Sequence, residues 1–465
     1  NGRVALHFKS PPEGLLSGTP AQVSGVLVDD AMAVDSGKDD LQMLACCDGP
    51  GQSSTLNSTP ELTYTLGEQR TLVMLVNFPT DTSEPWTVAE AGDVVFGSVS
   101  DFFWENSYGQ TWLAGDVFGW FTLSLAAGEC RTSTIMLEAR LAAEAAGADL
   151  SAYDRFVYAF PENGCPWSGQ GSIGGPETHT FLNGSLMKTD TVGHELGHNF
   201  GLYHSHRMHC GDVVVGGDNC NIAEYGDALD RMGGSLGHFN NFQKQRLGWL
   251  DYGESPANVT ADLSGSYQLE PHSLQAYGVK GLRVLRSVDP VTGQRTWYYL
   301  ETRQTFGFDD WLSGSGYAES VLNGLVFRLG TEDDADSSFL LDMTPGSQKY
   351  DMNDLALPTG GSYTDEAAGV TISVDGVSAT GATVNVSFGP QSCVRADPSV
   401  ILSPSASDWV APGAAVSYAA SIMNNDSHAC ADAAFDLAAQ IPAGWSAILD
   451  DPSIALAPGS SFSSG

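Results

Sequence analysis

Hydrophobic and polar positions fall into distinct textures along this chain. Up to about residue 65, short β-like runs such as AQVSGVLV are broken by Gly, Pro and Ser. LVMLVNF (72–78) is apolar without alternation, the pattern of a strand covered on both faces. SVSDFFWENSYGQ (98–110) puts Val99, Phe102 and Phe103 on one helical face, and GDVFGWFTL (115–123) alternates as a strand. TIMLEARLAAEAAG (134–147) predicts a helix closed by Gly147, and DRFVYAFP (154–161) a further strand. The order strand, helix, strand, helix, strand predicts an α/β layer whose sheet is at least partly parallel. ETHTFLNG (177–184) then predicts an edge strand, DTVGHELGHNFGL (190–202) a helix, and FNNFQKQRLGWL (239–250) a last helical stretch behind a Gly-rich loop.

From about 255 to 390 the texture changes to short alternating strands such as RTWYYLETRQ, NGLVFRLG, GVTISVDG and ATVNVSFG, which predict a β-sandwich or jelly roll. After a break at SFGPQSC (387–393) the remainder predicts an immunoglobulin-like β-module. It reaches SSFSSG short of its last strands, as a truncated module would. The expected organisation is multidomain. A β-rich N-terminal segment or prosegment spans 1–65, an α/β catalytic domain 66–252, an all-β sandwich 253–390 and the immunoglobulin-like module 391–465.

Composition narrows the function. With 56 acidic against 20 basic residues the formal charge is -36, which argues against nucleic acid and against anionic lipid. The simplest reading is a solvated acidic surface that keeps an exported protein soluble. No apolar run approaches the ~18 residues of a membrane helix. Asn1 opens directly on NGRVALHFKS without a leader, as a chain beginning after export cleavage would. Eight cysteines form near-neighbour pairs, Cys130 with Cys165, Cys210 with Cys220 and Cys393 with Cys430, beside the adjacent Cys46 and Cys47. An even count without CxxC favours disulfides over a cysteine metal site, hence an oxidising, extracellular compartment.

The chemistry concentrates in one segment, His194-Glu195-Leu196-Gly197-His198-Asn199-Phe200-Gly201-Leu202-Tyr203-His204. Residues four apart stack on one helix face, so His194 and His198 aim two imidazoles at one point. Glu195, about 100° around the helix, reaches a water there without ligating the metal. Gly201 permits the left-handed turn that brings His204 back as third ligand. Three nitrogens and an open position are what a catalytic zinc takes, with Glu195 as general base.

HExxHxxGxxH is the signature of the metzincin clan of metalloproteases, and HELGHNFGLYHSH followed by YGDxxDxMG resembles the gametolysin-like (M11) peptidases. The similarity is specific from about 188 to 235 and looser from 66 to 250. The family's namesake carries Gln where this chain has His194, so the match is to the wider group. The resemblance implies a secreted zinc endopeptidase acting on protein or glycoprotein, with Met232 in a methionine turn beneath the metal. It makes Tyr225 a candidate for assisting the oxyanion, and ETHTFLNG the strand that pairs with extended substrate. A monomer is expected.

Other features carry weaker readings. Cys46 or Cys47 could cap the zinc in a latent form, as in cysteine-switch zymogens; a vicinal disulfide or other pairing is the alternative. TEDDADSS (331–338) is a candidate for Ca2+ but reads better as a solvated acidic turn. His206 and His209 read as surface residues or residues behind the ligands, and His179 and His238 as structural. GQGSIGG (169–175) matches GxGxxG without the following helix, so no dinucleotide site is implied. The alternative function is a surface-binding or adhesion protein with a non-catalytic metal site.

Overall fold

The computed structural model describes residues 5–8, 21–23, 26–28, 31–34, 41–43, 62, 64–216, 220–253, 255–347, 352–389, 393, 395–404, 410, 414–426, 430–441 and 444–464. Two compact units divide the chain at Ser53 and Ser54. In the first, β1 (Ala5–Phe8) pairs in parallel with β4 (Ala31–Val34), which pairs antiparallel with β3 (Val26–Val28). There β2 (Ala21–Val23) pairs with β5 (Leu41–Met43). Cys46 and Cys47 lie outside the described residues.

The second unit opens with a five-stranded sheet. Its strands are β6 (Gly67–Asn77), β7 (Thr111–Thr122), β8 (Arg155–Phe160), β9 (Gly169–Gly171) and β10 (Thr178–Asn183), in the order β7-β6-β8-β10-β9. The first four in that order run parallel, and β9 is antiparallel to β10. Leu72 to Val76 are fully buried because both faces of β6 are covered, which explains a run without alternation. Leu72, Met74 and Val76 pack with Ile135, Ala139 and Ala143 of the helix Thr132–Ala145. Val73 and Leu75 pack on the other side with Val192 and Leu196 of the helix Thr189–Asn199. Before these come α1 (Val88–Gly92), a π-helical stretch (Asp93–Val99) and α2 (Ser100–Asn106); α3 is Thr132–Ala145 and α4 Thr189–Asn199. Burial at Ile135, Ala139 and Ala143 recurs every four residues, the stripe of a helix lying on a sheet, and Gly147 at φ +100° ends it.

The strand at the edge differs from the sequence expectation. ETHTFLNG forms β10, which lies between β8 and β9, with Thr180 opposite Gly171 and Leu182 opposite Gly169. The edge is the Gly-Gln-Gly of β9. Two glycines around one polar residue carry no apolar alternation, so pattern reading passes over such a strand.

Beyond α4 come β11 (His206–His209), β12 (Asn221–Ala223), α5 (Asn241–Arg246), β13 (Asn258–Ala261), β14 (Gly265–Leu269), β15 (Gly281–Val288), β16 (Arg295–Glu301), β17 (Gly324–Thr331), β18 (Asp334–Leu341), β19 (Leu357–Pro358), β20 (Ser362–Asp365), β21 (Val370–Ser378) and β22 (Gly381–Phe388). One sheet runs β12-β11-β18-β17-β16-β15-β13, with β19 on β17, and a second runs β14-β22-β21-β20. They share a core in which Leu282, Val284, Leu300 and Phe327 meet Ile372, Val374, Val384 and Val386. Inward apolar residues alternate with outward ones on β21 and β22, as packed antiparallel sheets require. The large sheet takes strands from both sides of residue 252: β11, two residues past His204, pairs in parallel with β18.

The TEDDADSS segment is the β17–β18 hairpin, with Thr331 opposite Asp334 and Asp333 at φ +59° in the turn. In the remaining chain β23 (Ser399–Ser403), β24 (Ala419–Met423) and β27 (Ser461–Ser464) form one small sheet, and β25 (Ala433–Asp436) with β26 (Ser453–Leu456) another. The chain is therefore mostly β, arranged in several sheets with few helices. Disulfides join Cys130 to Cys165, Cys210 to Cys220 and Cys393 to Cys430. Among the described residues no helix is long and apolar enough to cross a membrane.

Candidate metal centre

The helix α4 buries Val192 and Leu196 in the core and projects His194 and His198 from another side. It ends in a Schellman turn. Gly201, at φ +100°, donates to His198 O at 2.8 Å, and Leu202 N–H donates to Gly197 O at 3.1 Å. A side chain at 201 would be strained there and would also meet Leu62. The turn leaves the Leu202 carbonyl facing back, where it accepts from His198 Nδ1 at 2.7 Å. One reversal therefore both sends the chain on to His204 and orients the second imidazole.

The other two rings are held in the same manner. His194 Nδ1 lies 2.9 Å from the Arg231 carbonyl and His204 Nδ1 2.8 Å from Glu224 Oε1. Each Nδ1 faces an oxygen acceptor, so in the neutral ring it carries the proton and Nε2 keeps its lone pair. One nitrogen from each ring lies within 4.8 Å of the other two. Burial holds His194 at about 4, against the Arg231 carbonyl that favours its charged form. Burial, then the neighbouring His194, brings His198 to about 4 as well. Both rings are neutral donors near pH 7. Three imidazoles oriented through Nδ1 form a donor set that fits zinc.

Glu195 is buried beside them, and burial raises its carboxyl to about 7 although the Gly171 N–H hydrogen-bonds it. The edge strand passes directly over this residue. A Cβ at 169 would stand 2.4 Å from Glu195 Oε1, and one at 171 would stand 2.4 Å from the Glu195 carbonyl and 2.8 Å from His198 Cβ. Only glycine allows that approach at these two positions. Asn199 fastens the helix to the same strands, donating to Ser172 O at 3.0 Å and His179 O at 3.1 Å and accepting from Thr180 Oγ1 at 2.9 Å.

Met232 is fully buried in a short 3-10 turn, Arg231–Gly233, capped by Asp230, whose Oδ1 accepts from Met232 N–H at 2.6 Å. It lies against α4 so closely that a Cβ at Gly197 would be 2.5 Å from its sulfur. The Tyr225 ring sits 3.8 Å from that of His204 and 5.9 Å from that of His194, centroid to centroid. Half exposed and at φ +56°, Tyr225 has its hydroxyl pKa raised by partial burial, then by Glu224 and Glu195.

His194, Glu195, His198, His204, Tyr225 and Met232 thus come together. His206 and His209 do not join them, nor are they surface residues: both are buried in β11. His206 Nε2 lies 3.0 Å from Asp336 Oδ1, and His209 Nε2 3.9 Å from Asp342 Oδ2, partners supplied by β18 and the residue after it. His179 stands on β10 beside Tyr158 and Glu177, and His238 is buried between Glu105 and Lys244. Sequence reading missed Glu224, the Arg231 and Leu202 carbonyls, and Gly169 and Gly171. A backbone carbonyl has no sequence signal, but Glu224 directly precedes Tyr225, and the two glycines lie in a motif set aside for lack of a helix after it.

Together, a mixed sheet and the helix it carries bring three imidazoles to one point where a metal ion could be held. Residues 89–296 match the family model described as gametolysin peptidase M11. No curated protein matches the chain. A solved structure described as a chaperone–substrate complex is similar at 18% identity over 30% of this chain, with a TM-score of 0.20, too low to bear on fold or function. The chain spans 24% of that structure's chain.

Proposed function

We propose that this chain is an exported zinc endopeptidase of the metzincin kind in which Glu195 is the general base. The observation that carries the proposal is the triad His194, His198 and His204, each Nδ1 engaged by an oxygen, with the Glu195 carboxylate beside it. A bound zinc supplies Lewis acidity there, polarising a carbonyl and making water more acidic. Glu195 takes a proton from the attacking water and delivers it to the leaving amine. The Tyr225 hydroxyl, on a ring 3.8 Å from that of His204, donates to the oxyanion. Strand β9, at the sheet edge above the helix, binds extended substrate by main-chain hydrogen bonds.

Extracellular protein or glycoprotein is the substrate class, and the three disulfides support export. The test is casein cleavage by the full chain before chelation, after chelation and after zinc is restored. Loss and recovery of cleavage support the proposal, whereas cleavage that survives complete metal removal sinks it.

A further inference from the structure

The segment that orients two of the three imidazoles, those of His194 and His204, is itself held by the sandwich. Between residues 224 and 233 lie Glu224, which faces His204 Nδ1, the Arg231 carbonyl, which faces His194 Nδ1, and Met232, which packs on Gly197. The residue after the third histidine is fixed to the same segment: Ser205 N–H donates to Met232 O at 3.2 Å, and Asp227 N–H donates to Ser205 O at 3.2 Å.

Asp227 is the knot of this segment. Its Oδ1 accepts from Leu229 N–H at 2.9 Å, and its carbonyl lies so near Gly233 that a Cβ there would be 2.1 Å away. Its carboxylate is fully buried and gripped by Arg328, fully buried on β17, with Nε to Oδ2 at 2.5 Å and Nη2 to Oδ1 at 3.2 Å. The remaining guanidinium nitrogen, Nη1, donates to Glu301 Oε1 at 2.6 Å, and Glu301 on β16 also holds Arg303 at 2.7 Å. Charges taken this far from water persist only where each is paired and hydrogen-bonded, and a bidentate fork fixes position as well as energy.

We propose that Arg328 is a positioning residue for the metal centre: through Asp227 it sets the 224–233 segment that aims His194 and His204, so the sandwich is a working part of the peptidase. The proposal rests on the zinc-peptidase reading of that centre. No proton moves and no bond is made in this role; Arg328 acts only by fixing where Glu224, the Arg231 carbonyl and Met232 stand.

The test uses the full chain and three variants. Asp227→Asn keeps shape and removes the charge, and Arg328→Lys keeps the charge and removes the fork. Asp365→Asn is the control: it weakens the Arg286–Asp365 pair (3.3 Å) in the same sandwich, away from the 224–233 segment. Thermal unfolding, Co2+ affinity, the visible Co2+ spectrum and peptide-level amide exchange are measured on each. The expected result is that Asp227→Asn and Arg328→Lys bind Co2+ on the order of tenfold or more weakly, as loss of groups supporting a ligand does. Their spectra shift, and exchange over 224–233 accelerates. The control loses stability with affinity, spectrum and that exchange unchanged.

Wild-type affinity, spectrum and exchange in either folded clamp variant overturn the proposal. So does a control that weakens Co2+ binding as much as they do, because the effect is then one of stability. If one clamp variant does not fold, the other decides. A wild-type chain that binds no Co2+ refutes the metal reading instead, and exchange over 224–233 still decides whether the clamp sets that segment.

Discussion

His204 Nδ1 lies 2.8 Å from Glu224 Oε1, so the third imidazole is oriented by an exposed side chain, whereas the first two are oriented by the backbone carbonyls of Arg231 and Leu202. No substitution removes a carbonyl, so His204 is the ligand whose support can be deleted cleanly. Glu224→Ala is expected to weaken zinc binding on the order of tenfold, the lower end for such supporting groups because Glu224 is well solvated. Competition with a chromogenic chelator measures it. Unchanged affinity would mean that His204 needs no orienting partner.

The glycine edge strand leads to a different separation. Gly169→Ala places a Cβ 2.4 Å from Glu195 Oε1 and 2.6 Å from its Cγ, so the carboxylate must move. A displacement of about 1 Å costs roughly 100-fold in rate. The expected outcome is that loss in kcat/KM with zinc content unchanged, since no ligand atom is touched. Equal loss of zinc would place the damage in the ligands.

Asp230 ties stability to pH. Burial first, then the neighbouring Asp227 carboxylate, raises its pKa to about 7, against Arg328 and the N–H groups of Asn240 and Met232. The folded pKa lies above the unfolded one, so the contribution is fully present below about 4 and is lost as pH rises through about 7. Asp230→Asn is expected to cost stability at every pH, because an amide cannot accept both N–H bonds, and to flatten the fall between pH 5 and 8. Urea midpoints across that range check it; a slope as steep as the wild type's would contradict the assignment.

The disulfide Cys130–Cys165 closes a loop with a sequence separation of 35. A loop of that length is stabilised by roughly 3–4 kcal/mol through the unfolded state. Replacing both cysteines by Ala should lower the unfolding free energy by about that amount. No change on replacement would mean that the native packing around Cys165, next to Trp167 and the edge strand, already holds the segment.

Much of the fold was legible because local chemistry agreed with it. The Leu72–Val76 run needed both sheet faces covered, Gly147 and Gly201 stand where helices end, and local cysteine spacing matched the three disulfides. In the candidate site, i and i+4 spacing sufficed for His194 and His198, and the structure brings Met232 and Tyr225 to them. Four features depend on partners outside their own segment. The edge strand is polar and glycine-rich, so only its pairing with β10 reveals it. His206 reads from the sequence as a surface residue or one behind the ligands, and only the structure brings Asp336 of β18 alongside it. Asp227 and Arg328 are separated by 101 positions, and no pattern within either segment announces the other. Strand β11 likewise joins the large sheet only through its pairing with β18.

The most direct test of the central claim compares wild type with Glu195→Gln, each loaded with zinc, measuring bound metal and casein cleavage on the same samples. Glu195 is not a ligand in this account, so both should bind equal zinc while cleavage falls by at least 100-fold in the variant, the scale of a lost general base. Undiminished cleavage by a zinc-loaded Glu195→Gln, or no zinc in a folded wild type, would contradict the account.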